Sequence, residues 1–118
     1  MYVYGATVRR IIAADTMEVT IDLGFFMSME TTIRLSRIDA WEMRGEERPR
    51  GELATEFVKQ RIGPGSTIRI QTFKTGNFGR WLSEVWFIDE AFDGCEGIVE
   101  RNLNDLLVDE GHAEYTGR

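Results

Sequence analysis

Met17-Glu18-Val19-Thr20-Ile21-Asp22-Leu23 alternates apolar and polar side chains without a break, the period-2 signature of a strand with one buried face. Upstream, Asp15 and Thr16 mark where a first strand gives way to this one. Downstream, Leu23–Glu30 is read as a hairpin connection with Gly24 as its turn residue. Thr31–Ile38 is the third strand, with Ile33 and Leu35 on one face and Arg34 and Ser36 on the other. A polar stretch, Met43–Arg50, carries Gly45 and Pro49 and is expected to turn. Leu53, Ala54, Phe57, Val58 and Ile62 then recur at helical spacing, which predicts a helix over Glu52–Ile62 stopped by Gly63-Pro64-Gly65.

Beyond that stop, Thr67–Phe73 is a strand, Thr75–Gly79 a turn, and Arg80–Ile88 a strand rich in aromatic and β-branched residues. A loop around Asp93–Gly97 leads to a helix expected over Ile98–Glu110, with Val99, Leu103, Leu106 and Leu107 as its buried stripe and Gly111 just past its end. Three strands, a helix, two strands and a helix fit an α+β chain that is mainly β: a five-stranded OB-fold β-barrel with two or three helices. The whole chain, residues 1–118, is expected to be one domain.

Composition narrows the function classes. The single cysteine, Cys95, rules out an intrachain disulfide and suits a reducing compartment. MYVYGATVRR has no basic segment followed by an apolar one, so no secretory leader is expected, and the longest apolar run is too short to span a bilayer. A cytoplasmic location, and no membrane partner, follow as expectations. With 20 acidic and 14 basic residues the net charge is −6, so the chain does not hold a polyanion by overall charge. Binding of phosphate requires a local basic cluster.

Polar residues collect at strand ends, where sites are usually built. Asp15 and Thr16 follow the first strand, Arg34 lies on a polar strand face, Asp39 and Glu42 follow as that strand ends, and Arg80 opens a later strand. These types suit a phosphodiester substrate. Asp15 and Asp39 could give oxygen ligands to a hard cation such as Ca²⁺. Glu42 could deprotonate or orient water. Arg34 and Arg80 could clamp phosphate oxygens with their planar forks.

The segments Ala14-Asp15-Thr16, Ile33-Arg34-Leu35 with Ile38-Asp39-Ala40-Trp41-Glu42, and Asn77-Phe78-Gly79-Arg80 resemble, in order and spacing, the signature of staphylococcal nuclease-like (thermonuclease) domains. Ile21-Asp22-Leu23-Gly24-Phe25, Arg44-Gly45-Glu46-Glu47-Arg48 and Glu110-Gly111-His112-Ala113 look like the small versions from phages and bacteria. The resemblance runs from about Ala6 to Tyr115. It implies a Ca²⁺-dependent endonuclease acting on DNA or RNA, in the host cytoplasm if phage-encoded. By the resemblance, Asp15 and Asp39 bind the metal and Ala40 adds its carbonyl oxygen. Glu42 is the general base, and Arg34 and Arg80 act in catalysis and bind the scissile phosphate. Thr16 stands beside the metal aspartate. Phe78 and Tyr115 are read, apart from the resemblance, as further candidate substrate contacts, Tyr115 by stacking on a base, with a plain surface aromatic as its alternative.

Three segments depart from the family pattern. Ala13-Ala14 stand where it usually reads Asp-Gly, Trp41 replaces the proline before the glutamate, and Asn77-Phe78 replace a Lys-Tyr pair. A different class of reading is a non-catalytic nucleic-acid-binding or protein-interaction module on the same barrel. It is favoured by the acidic balance, Ala13 and Trp41. The complete set Asp15, Arg34, Asp39, Glu42 and Arg80 favours the enzyme. Of the rest, Phe25, Phe26, Met27 and Met29 read as core or as a lid over the barrel end, with base stacking or self-association as alternatives. Trp81 and Trp86 read as packing residues. His112 reads as a cation favoured by the end of a helix.

Overall fold

The computed structural model describes residues 2–75, 81–89 and 99–116. Strands β1 (Tyr2–Ala13), β2 (Thr16–Gly24) and β3 (Met27–Leu35) form an antiparallel meander. β5 (Thr67–Thr75) pairs antiparallel with the other edge of β1, and β6 (Trp81–Asp89) pairs antiparallel with β5. The first residues of β6 then pair parallel with β3, Ile33 opposite Trp81 and Leu35 opposite Ser83, which closes a ring of five strands. The result is the OB-like barrel with two helices that the element order predicts. The far half of β6 leaves β3 and takes β7 (Val99–Asn102) as its partner. A short antiparallel pair, β4 (Ile38–Ala40) and β8 (Ala113–Tyr115), sits outside the barrel.

The alternation in the sequence becomes the core. Met17, Val19 and Ile21 of β2 point inward with Ile33 and Leu35 of β3, Ile68 and Ile70 of β5, and Val85 and Phe87 of β6. On β1 both Val8 and Ile11 are buried, an odd spacing for a strand. An irregularity between Val8 and Arg10 inserts the residue that restores the inward phase.

Helix α1 (Arg48–Arg61) buries Gly51, Ala54, Thr55 and Val58, one stripe at helical spacing, followed by buried Ile62. It begins earlier than its periodicity suggests. Pro49 lies in its first turn, where a missing N–H costs nothing, and does not mark a loop. A 3₁₀ turn, Gly45–Glu47, leads into it. Helix α2 (Leu103–Asp109) is shorter than the expected Ile98–Glu110. The side chain of Asn102 accepts a hydrogen bond from the Asp105 N–H at 2.8 Å, capping the helix there. Residues 99–102 belong to β7, because β6 offers them an unpaired edge.

The hairpin between β2 and β3 is also tighter than expected. The strands run to Gly24 and resume at Met27, leaving Phe25 and Phe26 as a two-residue turn. Both have positive φ, 54° and 62°, and both are fully exposed, 95% and 111%. They are therefore neither core nor lid. Their place at the tip is set by strand register. Met27 is exposed as well, and Met29 packs against the core from its edge. No described helix is long and apolar enough to cross a membrane.

Candidate active site

Asp15 lies in the tight connection between β1 and β2, buried to 7% exposure. Neither Ala13 nor Ala14 has positive φ, so this turn does not need the glycine of the family pattern. Ala14 instead fills a core position. The Asp15 carbonyl oxygen accepts from the Leu35 N–H at 2.9 Å, which ties the turn to the end of β3. Its carboxylate is well bonded. Oδ1 accepts from the Thr16 hydroxyl at 3.1 Å, while Oδ2 accepts from Arg34 at 3.1 Å and from the Ala40 N–H at 3.0 Å.

Arg34 is the register partner of Thr16 across β2 and β3, so its side chain leaves the barrel beside Asp15. One end of its fork meets Asp15 and the other meets Asp39 of β4. Three residues read separately from the sequence are thus one cluster, two carboxylates around one guanidinium. Across the parallel β3–β6 pairing, Leu82 stands beside Arg34. Leu82 also lines a groove of about 580 Å³, walled by Phe73 and Trp86. Its walls also include Arg37, Glu84 and Asp105 and none of Asp15, Arg34 and Asp39, so the groove lies on the Arg37 side of the barrel.

Glu42 comes two residues after β4, and its side chain is exposed, facing Arg44 at 3.4 Å. Its backbone, in contrast, is pressed against α1. A Cβ on Gly51 would lie 2.1 Å from the Glu42 carbonyl oxygen and 2.9 Å from that of Trp41. Only glycine lets the helix approach so closely. Trp41 is held by its indole N–H, which donates to the Gly111 carbonyl at 2.8 Å, and by the Arg50 guanidinium stacked 3.7 Å over its ring. Trp41 thus takes over with side-chain contacts the stiffening that a proline would supply through its ring.

Other expected residues lie elsewhere. Tyr115 is 54% exposed; its hydroxyl donates to Asp105 at 3.0 Å, and Arg37 lies 5.9 Å over its ring. Those contacts place it with the Arg37 network and not with Asp15 and Asp39. Burial pushes His112 below its ordinary value. Its ring packs on Phe57 at 4.6 Å, and the burial that comes with this contact disfavours the charged form that a helix end would favour. Trp81 packs against the core, while Trp86 carries Arg69 on its face. Asn77, Phe78, Arg80 and Cys95 lie outside the described residues.

Sequence reasoning missed a second cluster. The Glu84 carboxylate accepts from Ser36, twice from Arg37 (3.0 and 2.5 Å), from Asn102 at 3.2 Å and from Asn104 at 3.0 Å. Hydrogen bonds to Glu84, helped by the Glu84 charge and opposed by burial, raise Arg37 further above its already high value. The signal was present, since Asn104 is a polar residue between the apolar Leu103 and Leu106, a position a buried stripe would fill with hydrocarbon.

Fold and site together describe an OB-like barrel with a carboxylate–arginine cluster on its outer rim. The model of the family described as staphylococcal nuclease homologues matches residues 32–118, and the chain belongs to that family. The matched span takes in the positions of Arg34, Asp39, Glu42 and Arg80; Asp15 precedes it. Nuclease chemistry and nucleic-acid substrates are characteristic of this family. No match is found among curated proteins.

Proposed function

We propose that this protein is a Ca²⁺-dependent nuclease that hydrolyses phosphodiester bonds of DNA or RNA at the Asp15–Arg34–Asp39 cluster. The convergence of both aspartates on one guanidinium carries this reading. Asp15 is nearly buried, and a buried carboxylate needs positive charge or donors around it. A hard cation held by Asp15, Asp39 and the Ala40 carbonyl would meet the same need with the oxygen ligands Ca²⁺ prefers. Among the described residues no group of three or more His, Cys, Asp or Glu gathers. So small a ligand set predicts weak affinity, on the order of 10⁻⁴–10⁻³ M. Bound there, Ca²⁺ would polarise the phosphate and offset its growing negative charge.

The protein's own groups do the rest. Arg34 uses two N–H donors on the aspartates and keeps others for phosphate oxygens. Arg80 is assigned to the same phosphate through the family pattern. Glu42 is exposed and takes a proton from water, its backbone held by α1 so that the carboxylate starts from a defined place. Phosphoryl chemistry asks mainly for such positioning and charge stabilisation.

The test is cleavage of plasmid and of single-stranded DNA with Ca²⁺ or with chelator, for the parent, Glu42→Gln, Asp39→Asn and Arg80→Lys. Glu42→Gln should lower kcat by about 10²–10⁴ with substrate binding kept, the scale of a lost general base. Arg80→Lys should lower kcat sharply, since it loses the planar fork. Added Ca²⁺ should restore part of the Asp39→Asn rate and none of the Glu42→Gln rate. Binding without cleavage by the parent, or cleavage undiminished by chelator, sinks the proposal.

A further inference from the structure

Most described arginines are neutralised in place. Arg9 pairs with Glu30, Arg10 with Glu18, Arg37 with Glu84 and Asp105, Arg44 with Glu42, Arg48 with Glu52 and Arg69 with Glu100. Arg50 and Arg61 differ, for neither has a carboxylate partner among the described residues. Each lies over an aromatic ring instead, Arg50 on Trp41 at 3.7 Å and Arg61 on Phe57 at 3.6 Å. Arg61 also donates to the Phe57 carbonyl at 3.1 Å, and its buried Nε has no protein partner.

Residues 50, 57 and 61 share one side of α1, since steps of seven and eleven residues return close to the same angle. The turn after α2 joins the two stacks. The Gly111 carbonyl receives the Trp41 indole N–H, and the neighbouring His112 ring packs on Phe57. Arg50–Trp41, Phe57–His112 and Arg61 thus form one continuous strip, with its two cations about 16 Å apart along the helix axis. It starts at Trp41, between Ala40 and Glu42 of the candidate site.

We infer that this strip binds the sugar-phosphate backbone and bases of a single-stranded nucleic acid where it leaves the cleavage site. The inference rests on the nuclease reading for where the strand comes from, but not for its test. Single-strand binders combine cations that track phosphate with aromatic rings for bases. A guanidinium already held over a ring has less freedom to lose on meeting phosphate. In a chain of net charge −6, uncommitted arginines are where a polyanion can gain most. Glu110, whose charge reaches His112, is the acid that opposes it.

The experiment is equilibrium binding of fluorescein-labelled (dT)₁₂ in chelator, so that nothing is cut, across a salt series. Arg50→Gln/Arg61→Gln should weaken binding about tenfold at low salt. It should also flatten the log–log salt slope by roughly 0.7 for each arginine lost. Arg48→Gln, which removes a cation already paired with Glu52, should leave both values at the parent's. Quenching of tryptophan fluorescence by (dT)₁₂ should fall in Trp41→Phe. A double variant with the parent's affinity and slope overturns the strip, as does a parent that binds no better than the double variant. The nuclease reading fails separately, by absence of cleavage in Ca²⁺. Circular dichroism of each variant establishes that the fold is intact.

Discussion

His112 illustrates how a single residue's surroundings reverse its expected chemistry. After a helix it reads as a cation, but burial holds its pKa below the usual 6.5 and Glu110 only partly opposes this. The folded chain therefore takes up the proton less readily than the unfolded chain. Neutral His112 stabilises the fold above the unfolded value, and that contribution is lost as pH falls through 6.5 toward the folded value. His112→Phe keeps a ring against Phe57 and removes the proton site. Its melting temperature should fall less than the parent's between about pH 7 and pH 5. Parallel profiles for the two proteins would show that His112 does not titrate in this window. Arg34 makes the same point at the site. Its type and strand face were evident in the sequence, but that it joins Asp15 to Asp39 depended on the β2–β3 register.

At the scale of elements, α1 and the β2–β3 hairpin each place a strained or crowded contact where a single change reads out. Gly51 lets α1 touch the backbone of Trp41 and Glu42. Gly51→Ala would drive a methyl group into two carbonyls, so helix and loop must part. Overpacking of this kind costs about 1–3 kcal/mol, and the clash is with backbone, which yields less than side chains do. The melting temperature should drop and cleavage fall with it, because the loop that carries Glu42 moves. An unchanged melting temperature would mean that the helix start shifts freely. The hairpin offers the opposite case. Phe25 and Phe26 hold positive φ, which bulky residues avoid. Replacing them by Asn-Gly, the pair that this turn geometry favours, should stabilise the chain by about 1–2 kcal/mol, read by urea denaturation. A loss of stability would show that the two rings pack on something in the folded chain.

For the molecule as a whole, the weak seam is β6, whose edge changes partner from β3 to β7. Backbone groups at that change have no strand opposite them. Asn104, wholly buried, accepts from the Val85 N–H at 3.1 Å and donates to the carbonyls of Ser83 at 3.1 Å and Ser36 at 2.9 Å. It also donates to Glu84, which in turn holds Arg37 and Ser36. One amide thus joins α2, the end of β3 and the middle of β6. Asn104→Ala would leave several buried groups unpaired and should cost about 2–4 kcal/mol, more than a surface polar change. Asn104→Leu restores volume without donors and should recover little of that loss. If Leu restores stability fully in denaturant titrations, packing and not hydrogen bonding accounts for Asn104.

Much of the barrel was legible because strand alternation is a local property. Met17–Leu23 shows its buried face whatever it packs against, and the same holds for the apolar stripe of α1. The candidate residues Asp15, Arg34, Asp39 and Glu42 were legible by type and motif spacing. Their meeting was not, since Asp15 and Arg34 are joined by a register that spans the whole hairpin. Boundaries were lost where local and long-range preferences compete. Residues 99–102 fit a helical period but pair with β6, and Pro49 reads as a break although it opens α1. Phe25 and Phe26 look like core by composition and stand at a turn because β2 and β3 pair up to it. The Glu84–Asn104 seam and the Arg50–Trp41–Phe57–Arg61 strip bring together segments far apart in the chain. Hydrogen bonds and ring stacking act over a few ångströms in space, so only the closed barrel decides which residues come within their reach.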